Sequence, residues 1–172
     1  ALLEDIDFSE VDGIVLPGGL AGTKNLEACE PLMEQVDAFA ESGKLVCAIC
    51  AAPSILGHRG ILKGKRAISY PGFEEQLTGA QVVYEPAVQD GNVITGRGMG
   101  CSAAFALKIL EYLTDKRTAE EMAQKLSAVL PYPLKYKVTA KSSAEITQVV
   151  KEANYEDSCA GIVTWCLSLI HI

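Results

Sequence analysis

Lys44-Leu-Val-Cys-Ala-Ile-Cys-Ala-Ala-Pro53 is the stretch that decides the fold. Val46 to Ile49 form a short apolar run that reads as a buried strand. Small residues and a proline follow at once, and Pro53 stands where the first turn of a helix accepts a residue without an N–H. A strand that turns straight into a helix puts the turn residue, Cys50, at the carboxyl edge of a parallel sheet. That is the nucleophile-elbow position, better known with serine. The turn crowds its own backbone, and Ala48, Ala51 and Ala52 supply the small neighbours it needs. A thiol at a helix N-terminus meets the positive end of the peptide dipoles, which favours thiolate. Cys50 is therefore a candidate nucleophile or peroxide target. A small hydrophobe buried under a helix fits the same ten residues equally well.

Working outward, Val11-Asp-Gly-Ile-Val-Leu-Pro-Gly-Gly19 reads as a second buried strand ending in a glycine turn. The amides of Gly18 and Gly19 are free to face an anion, with a plain strand exit as the alternative. Residues 27–42 have helical spacing (Leu32, Val36, Phe39, Ala40) and stop at Gly43. The two strands and this helix make a strand–helix–strand unit with a right-handed crossover, and the apolar strands imply a parallel sheet covered on both faces. Downstream, the pattern predicts a helix over 53–59, a strand over 66–69, and a turn at Tyr70-Pro-Gly72 into a brief helix over 73–77. Strands follow over 81–85 and 92–95, with Asp90-Gly91 as a hairpin turn. Gly96-Arg-Gly-Met-Gly100 leads into an amphipathic helix over 102–113, and a further helix covers 119–129. The glycine run lacks the spacing and acid of a dinucleotide fingerprint and reads as a tight turn. The alternation predicts an open doubly wound α/β sheet with its site at the carboxyl edges of the strands. The exits at Gly19 and Cys50 would then be neighbours, and the amides of Gly19 and Ala51 could form an oxyanion hole.

The 172 residues suit one domain with a real core, and the net charge of −7 argues against nucleic acid or an anionic membrane as partner. Six cysteines without a signal peptide or regular spacing suggest reduced thiols and a cytoplasmic location. The apolar run over 159–172 is too short and mixed to span a bilayer. No metal site is expected, because the thiols are scattered and the two histidines are far apart in sequence, and no cofactor is expected either. Cys47-Ala-Ile-Cys50 matches a dithiol motif, but a strand would hold the two Cα atoms about 10 Å apart, and a disulfide needs less than about 7 Å. Core packing is the better reading of Cys47. Cys29 sits beside Glu27 and Glu30, which oppose thiolate, and Cys101 opens a helix and could be weakly reactive. Arg97 could steer an anion toward Cys50 or be a solvated turn residue. Tyr70 could line the pocket or be a strand-end aromatic with a wet hydroxyl. Glu74-Glu75 reads as a solvated face, and Ser54 as a helix-start polar residue.

Asp12-Gly-Ile-Val-Leu-Pro-Gly-Gly19, Ala48-Ile-Cys-Ala-Ala-Pro53, and Gly96-Arg-Gly-Met-Gly100 with Ala103-Ala-Phe-Ala-Leu107 together resemble the DJ-one/PfpI (ThiJ-like) superfamily over about residues 3–128. The resemblance implies a flavodoxin-like, class I glutamine amidotransferase-like sheet with helices on both faces. It implies a homodimer in the complete parent protein and a cysteine that oxidises readily to sulfinate. Glyoxalase, deglycase, chaperone and oxidative-stress roles come with it. By carry-over Cys50 is the nucleophile acting on a small reactive aldehyde or peroxide, and Gly19 with Ala51 lines its anion pocket; Gly18, Tyr70 and Arg97 are the further candidate pocket residues from the residue reading above. The family begins with a further strand and helix, and a glutamate after that strand contacts the cysteine. Here the expectation is that this strand, helix and glutamate are missing. Some members carry a histidine where this chain has Tyr70. Two function classes follow: a cysteine enzyme on aldehydes, or a non-enzymatic redox sensor or chaperone. An inactive truncated fragment is the further alternative.

After Leu130-Pro-Tyr-Pro133 the pattern changes. Lys135-Tyr-Lys-Val-Thr-Ala140, a helix over 142–152, and Ala160-Gly-Ile-Val-Thr-Trp165 read as another strand–helix–strand. The stretch 152–165 is similar to the amino-terminal domain of L-arabinose isomerases, without metal ligands or active site. Leu167-Ser-Leu-Ile-His-Ile172 can be encoded by a sequence resembling a transposase adapter end. The expected organisation is a family domain over 1–129, an appended foreign segment over 130–166, and an adapter-derived tail over 167–172.

Overall fold

Strand β2 (Leu45–Ile49) is one of the two inner strands of the main sheet. In the computed structural model, which describes residues 2–129, it pairs in parallel with β1 (Gly13–Leu16) on one side and with β6 (Val93–Gly96) on the other. Leu16 stands opposite Ala48 and Ile49 opposite Gly96. Strand β5 (Ala87–Asp90) closes the far edge antiparallel to β6, giving the order β1-β2-β6-β5. A second, two-stranded parallel sheet joins β3 (Arg66–Ala67) to β4 (Gln81–Val82). The expected elements over 130–172 lie outside the described residues.

Alternation along β2 sorts its side chains onto two faces. Val46 and Ala48 enter the larger core with Ile14, Leu16, Met33, Val36, Phe39, Ile55 and Leu56. Leu45 and Cys47 enter a smaller one with Ala87, Ile94 and Phe105. Helices α1 (Leu20–Glu27), α2 (Glu30–Ser42) and α3 (Pro53–His58) come from the first half of the chain, and α2 and α3 supply the larger core. Helix α4 (Ser102–Leu113) covers the other face through Phe105, Ala104 and Ile109, and α5 (Lys116–Val129) follows it. The sheet is mostly parallel and clothed on both faces, as the apolar strands predict.

Three expectations change. The helix expected over 27–42 starts only at Glu30, because Pro31 has no N–H to donate and is accepted only at a helix start. Helix α1, which begins directly after Gly19 (φ 94°), had no counterpart in the sequence reading. The hairpin turn at Asp90-Gly91 is in place, with Gly91 at φ 60°, but the strand that enters it is Ala87–Asp90. Pro86 separates that strand from the short β4, which pairs elsewhere. The strand expected over 66–69 stops at Ala67, since the Ile68 N–H donates to the Thr95 Oγ1 hydroxyl (3.0 Å) instead of to a neighbouring strand.

Polar ties fix the helices around the sheet. Arg59, just after α3, forms a two-pronged bond with Asp37 of α2, and that carboxylate holds the guanidinium pKa above its ordinary value. His58 Nδ1 lies 2.7 Å from Glu27 Oε1 of α1. Lys44 Nζ donates to the carbonyls of Phe8, Ser9 and Val11 (2.8–3.1 Å) and lies 4.9 Å from the Phe39 ring centre, which ties the segment before β1 to the root of β2.

Candidate active site at the Cys50 elbow

The parallel register brings the carboxyl ends of β1, β2 and β6 to one edge, and the chain leaves that edge at Pro17, Cys50 and Arg97. Cys50 has φ 67°, which none of the other described residues with a side chain adopts above zero. For a residue with a Cβ this conformation costs on the order of 1–3 kcal/mol, so the surroundings must impose it. They do so from two sides. The Cys50 N–H donates to the Gly96 carbonyl (2.9 Å), and the Cys50 carbonyl accepts from the Tyr70 N–H (2.8 Å). The Ala52 N–H turns back to the Ile49 carbonyl (3.2 Å), and Pro53 then opens α3. Ala51 and Ala52 are buried, while Cys50 itself is partly exposed.

Gly18 forms the wall on the β1 side. A Cβ there would stand 2.5 Å from the Cys50 Cβ, 2.9 Å from the Ile49 carbonyl and 3.2 Å from the Ala51 nitrogen. Only glycine allows the two strand exits to approach so closely, and the approach brings Gly18, Cys50 and the Ala51 amide together. Gly19 is exposed and is the first cap of α1, and a Cβ on it would meet nothing within 4 Å. On the β6 side, the Tyr70 ring lies against Gly98, whose Cβ would sit 3.2 Å from Tyr70 Cδ2. Arg97 is held through its N–H to the Pro86 carbonyl (3.0 Å) and is partly exposed. No hydrogen bond among the described residues joins its guanidinium to the elbow.

Of the other thiols, Cys47 is core packing, as its strand position predicts. Cys47 is fully buried, and loss of solvent pushes its pKa up to about 12. It sits in β2 within the smaller core, so the dithiol motif gives no exchange pair. Cys29 caps α2, and Cys101 precedes α4. The Ser54 hydroxyl donates to the Ala51 carbonyl (2.7 Å), a bond at the helix start. His58 is engaged with Glu27. Among the described residues, no group of His, Cys, Asp and Glu side chains could hold a metal ion.

Two features escaped the sequence reading. Thr95 is buried in β6, and its hydroxyl sets the path of residues 68–70 toward the elbow. An open apolar groove of about 470 Å³ beside Gly18 is lined by Leu3, Pro17, Leu26 and Leu32. The first was visible only as a polar residue in an apolar run, and the second depends on α1.

Residues 1–112 match the model of the DJ-1/PfpI family, and residues 100–169 match that of the L-arabinose isomerase N-terminal domain, which starts earlier than the change of pattern at 130. The chain is 40% identical over 124 residues to protein DJ-1 homolog B of Arabidopsis thaliana, which covers 71% of this chain and 28% of that protein. It is 40% identical over 126 residues to protein DJ-1alpha of Drosophila melanogaster, covering 72% and 58%. A protein named a deglycase in Pyrococcus abyssi is 34% identical over 112 residues, covering 64% and 67%. The chain thus spans between about a quarter and two thirds of the length of these relatives. Among solved structures, Drosophila melanogaster DJ-1beta superposes with a TM-score of 0.64 at 38% identity, over 69% of this chain and 66% of that one. Toxoplasma gondii DJ-1, described as oxidized, does so with 0.64 at 30%, over the same shares. The chain belongs to the DJ-1/PfpI family.

Proposed function

We propose that Cys50 is the nucleophile of a cysteine-dependent, glutathione-independent glyoxalase- or deglycase-type activity on small reactive aldehydes, in a protein of the oxidative-stress response. The thiolate adds to the carbonyl carbon and gives a hemithioacetal. The amides of Gly19 and Ala51, beside Gly18, receive the oxyanion, Tyr70 borders the pocket, and Arg97 draws anionic substrates toward it. One observation carries this reading: the left-handed Cys50 backbone, held by a hydrogen bond to the Gly96 carbonyl and one from the Tyr70 N–H, and walled by Gly18. Such strain at a partly exposed thiol is the mark of a site rather than of a core. The deglycase name of the Pyrococcus relative supports the reaction class. The test is consumption of methylglyoxal without glutathione. Turnover that disappears in Cys50→Ser supports the enzyme, and turnover that survives the substitution overturns it.

The second reading is a redox sensor or chaperone in which peroxide oxidises Cys50 through sulfenate to sulfinate. The oxidized Toxoplasma relative favours it. It predicts a gain of two oxygens on the Cys50 peptide under peroxide, with no aldehyde turnover. In the complete parent protein the active form is a homodimer in the cytoplasm, which sedimentation would check. Among the described residues no helix is long and apolar enough to cross a membrane. Residues 130–166 are proposed to be an appended foreign segment, a reading that the isomerase-domain match over 100–169 favours, and residues 167–172 to be an adapter-derived tail, on the strength of their sequence alone. One continuous product amplified from source DNA across codon 130 would overturn it.

A further inference from the structure

Thr95 is the one polar side chain in the inner strand β6, between Ile94 and Gly96. It is 1% exposed and stands opposite Ala48 of β2 on one side and Val88 of β5 on the other. Valine would fill the same space, suit a strand as well, and bury no hydroxyl. A hydroxyl buried there needs a hydrogen-bond partner, and it has one. It accepts the Ile68 N–H at 3.0 Å, where the chain has just left β3 at Ala67 and the next donor has no strand to bond.

That bond closes a circuit around the elbow. From Ile68 the chain passes through the fully buried Ser69 to Tyr70, whose N–H donates to the Cys50 carbonyl at 2.8 Å. The Cys50 N–H donates at 2.9 Å to the carbonyl of Gly96, the residue next to Thr95. Both polar groups of the Cys50 backbone thus lead to Thr95, the N–H through one peptide unit and the carbonyl through residues 68–70. Two of the three hydrogen bonds join backbone to backbone, so the Thr95 hydroxyl is the only side-chain group in the circuit. A residue with a Cβ stays at φ 67° only while its surroundings impose that angle. We propose that Thr95 is a positioning residue for Cys50: its hydroxyl, acting through Ile68 and Tyr70, holds the Cys50 carbonyl and keeps the thiol in its presented conformation. This role rests on the reading of Cys50 as the nucleophile. Without the hydroxyl, the Ile68 N–H is left buried with no acceptor. Residues 68–70 then shift to find one, the Cys50 carbonyl loses its donor, and the turn relaxes toward ordinary backbone angles.

The experiment follows iodoacetamide alkylation by peptide mass spectrometry in the unsubstituted protein, Thr95→Val and Thr95→Ser, reading Cys50, Cys29 and Cys47 in the same samples. Thr95→Val keeps the shape and removes the acceptor. It is expected to slow Cys50 about fivefold to tenfold, the population shift that one net hydrogen bond sustains, while Cys29 keeps its rate and Cys47 stays protected. Thr95→Ser keeps the acceptor and should recover most of the Cys50 rate, which a role in filling space alone would not produce. A Cys50 rate unchanged in Thr95→Val, or as low in Thr95→Ser as in Thr95→Val, would overturn the proposal. Labelling of Cys47 in step with Cys50 would mean that the valine variant does not fold. Thr95→Ala, which sets no methyl against the Ile68 N–H, then carries the test, and an unchanged Cys50 rate or a second loss of Cys47 protection there would overturn the proposal. In the unsubstituted protein, a Cys50 that alkylates no faster than Cys29 and adds no methylglyoxal would overturn the nucleophile reading itself, and the role of Thr95 with it.

Discussion

Cys47 and Cys50 lie three residues apart on one segment, and the fold treats them as opposites. Cys47 is inside β2 with its side chain sealed between β6 and α4, and burial alone pushes its thiol up to about 12. Cys50 is just beyond the strand, turned to φ 67° and partly exposed. Neither residue type nor local hydrophobicity separates them. The difference comes from where the strand ends: Ile49 is the last residue of β2 in register with β6, and Cys50, whose N–H still bonds the Gly96 carbonyl, turns out of the plane at φ 67°. A thiol inside the strand is packing material, and a thiol at the turn just beyond it is partly exposed.

The comparison is broken most directly by labelling. Iodoacetamide should reach Cys50 in the native state and Cys47 only through opening of the sheet core, whose free energy approaches that of global unfolding. The expected ratio of rates, read by peptide mass spectrometry, is at least about 1,000-fold. Comparable rates would mean that β2 is not the sealed strand described above. The next effect is at Gly18. Gly18→Ala places a methyl 2.5 Å from the Cys50 Cβ and 2.9 Å from the Ile49 carbonyl, so one strand exit must move. It should cost about 1–3 kcal/mol of stability, as overpacking does, and lower Cys50 reactivity while Cys47 stays protected. Gly19→Ala, which meets no neighbour, should cost less and only through its φ of 94°.

A third effect is seen only at high pH. The folded Cys47 pKa of about 12 lies above the ordinary 9.0. Below pH 9 the thiol is neutral in both states and contributes no slope. Between pH 9 and 12 the unfolded chain releases the proton that the folded chain keeps, so stability falls as pH rises. Chemical denaturation of Cys47→Ala should show a shallower decline over this window than the parent protein, beneath a uniform loss from the smaller side chain. Identical slopes would mean that water reaches Cys47 in the folded state.

The sequence carried the elbow and the sheet's inner strands because both are written in local chemistry: an apolar run, small residues, and a proline at a helix start. It also placed Asp90-Gly91 and the α4 helix, whose signals are a turn pair and a helical period. Helix α1 was hidden because Ala21, Gly22, Lys24 and Asn25 are all exposed, so its eight residues carry almost no apolar stripe. Strand β5 was misplaced because Gln81 to Glu85 has as much strand character as Ala87 to Asp90, and only the pairing across Gly91 chooses between them. That the strand exits at Gly18-Gly19 and Cys50 are neighbours was legible from the strand–helix alternation, but how closely Gly18 meets Cys50, 32 residues apart, follows from the register of β1 against β2, which no local pattern contains. Tyr70 was legible as an aromatic before a proline, but its bond to Cys50 depends on Thr95, a residue in another strand.

The smallest effect sharpens the comparison by removing the strain itself. Glycine adopts φ 67° without the cost that a Cβ brings, so Cys50→Gly relieves about 1–3 kcal/mol. The unfolded chain gains backbone freedom, which offsets about 0.5–1 kcal/mol of that relief. Cys50→Ala removes the thiol and keeps the Cβ, so it isolates the backbone contribution. Thermal unfolding should place Cys50→Gly above Cys50→Ala by about 1 kcal/mol, with both inert to iodoacetamide at the elbow. The same pair at position 47, where the backbone is ordinary strand, should rank the other way, because glycine weakens a strand interior. Stabilisation by glycine at 50 and destabilisation at 47 would show that stability is given up at the turn to present the thiol, and nowhere else along this segment. Matching losses at both positions would mean that the elbow is relaxed, and the physical case for a reactive Cys50 would fail with it.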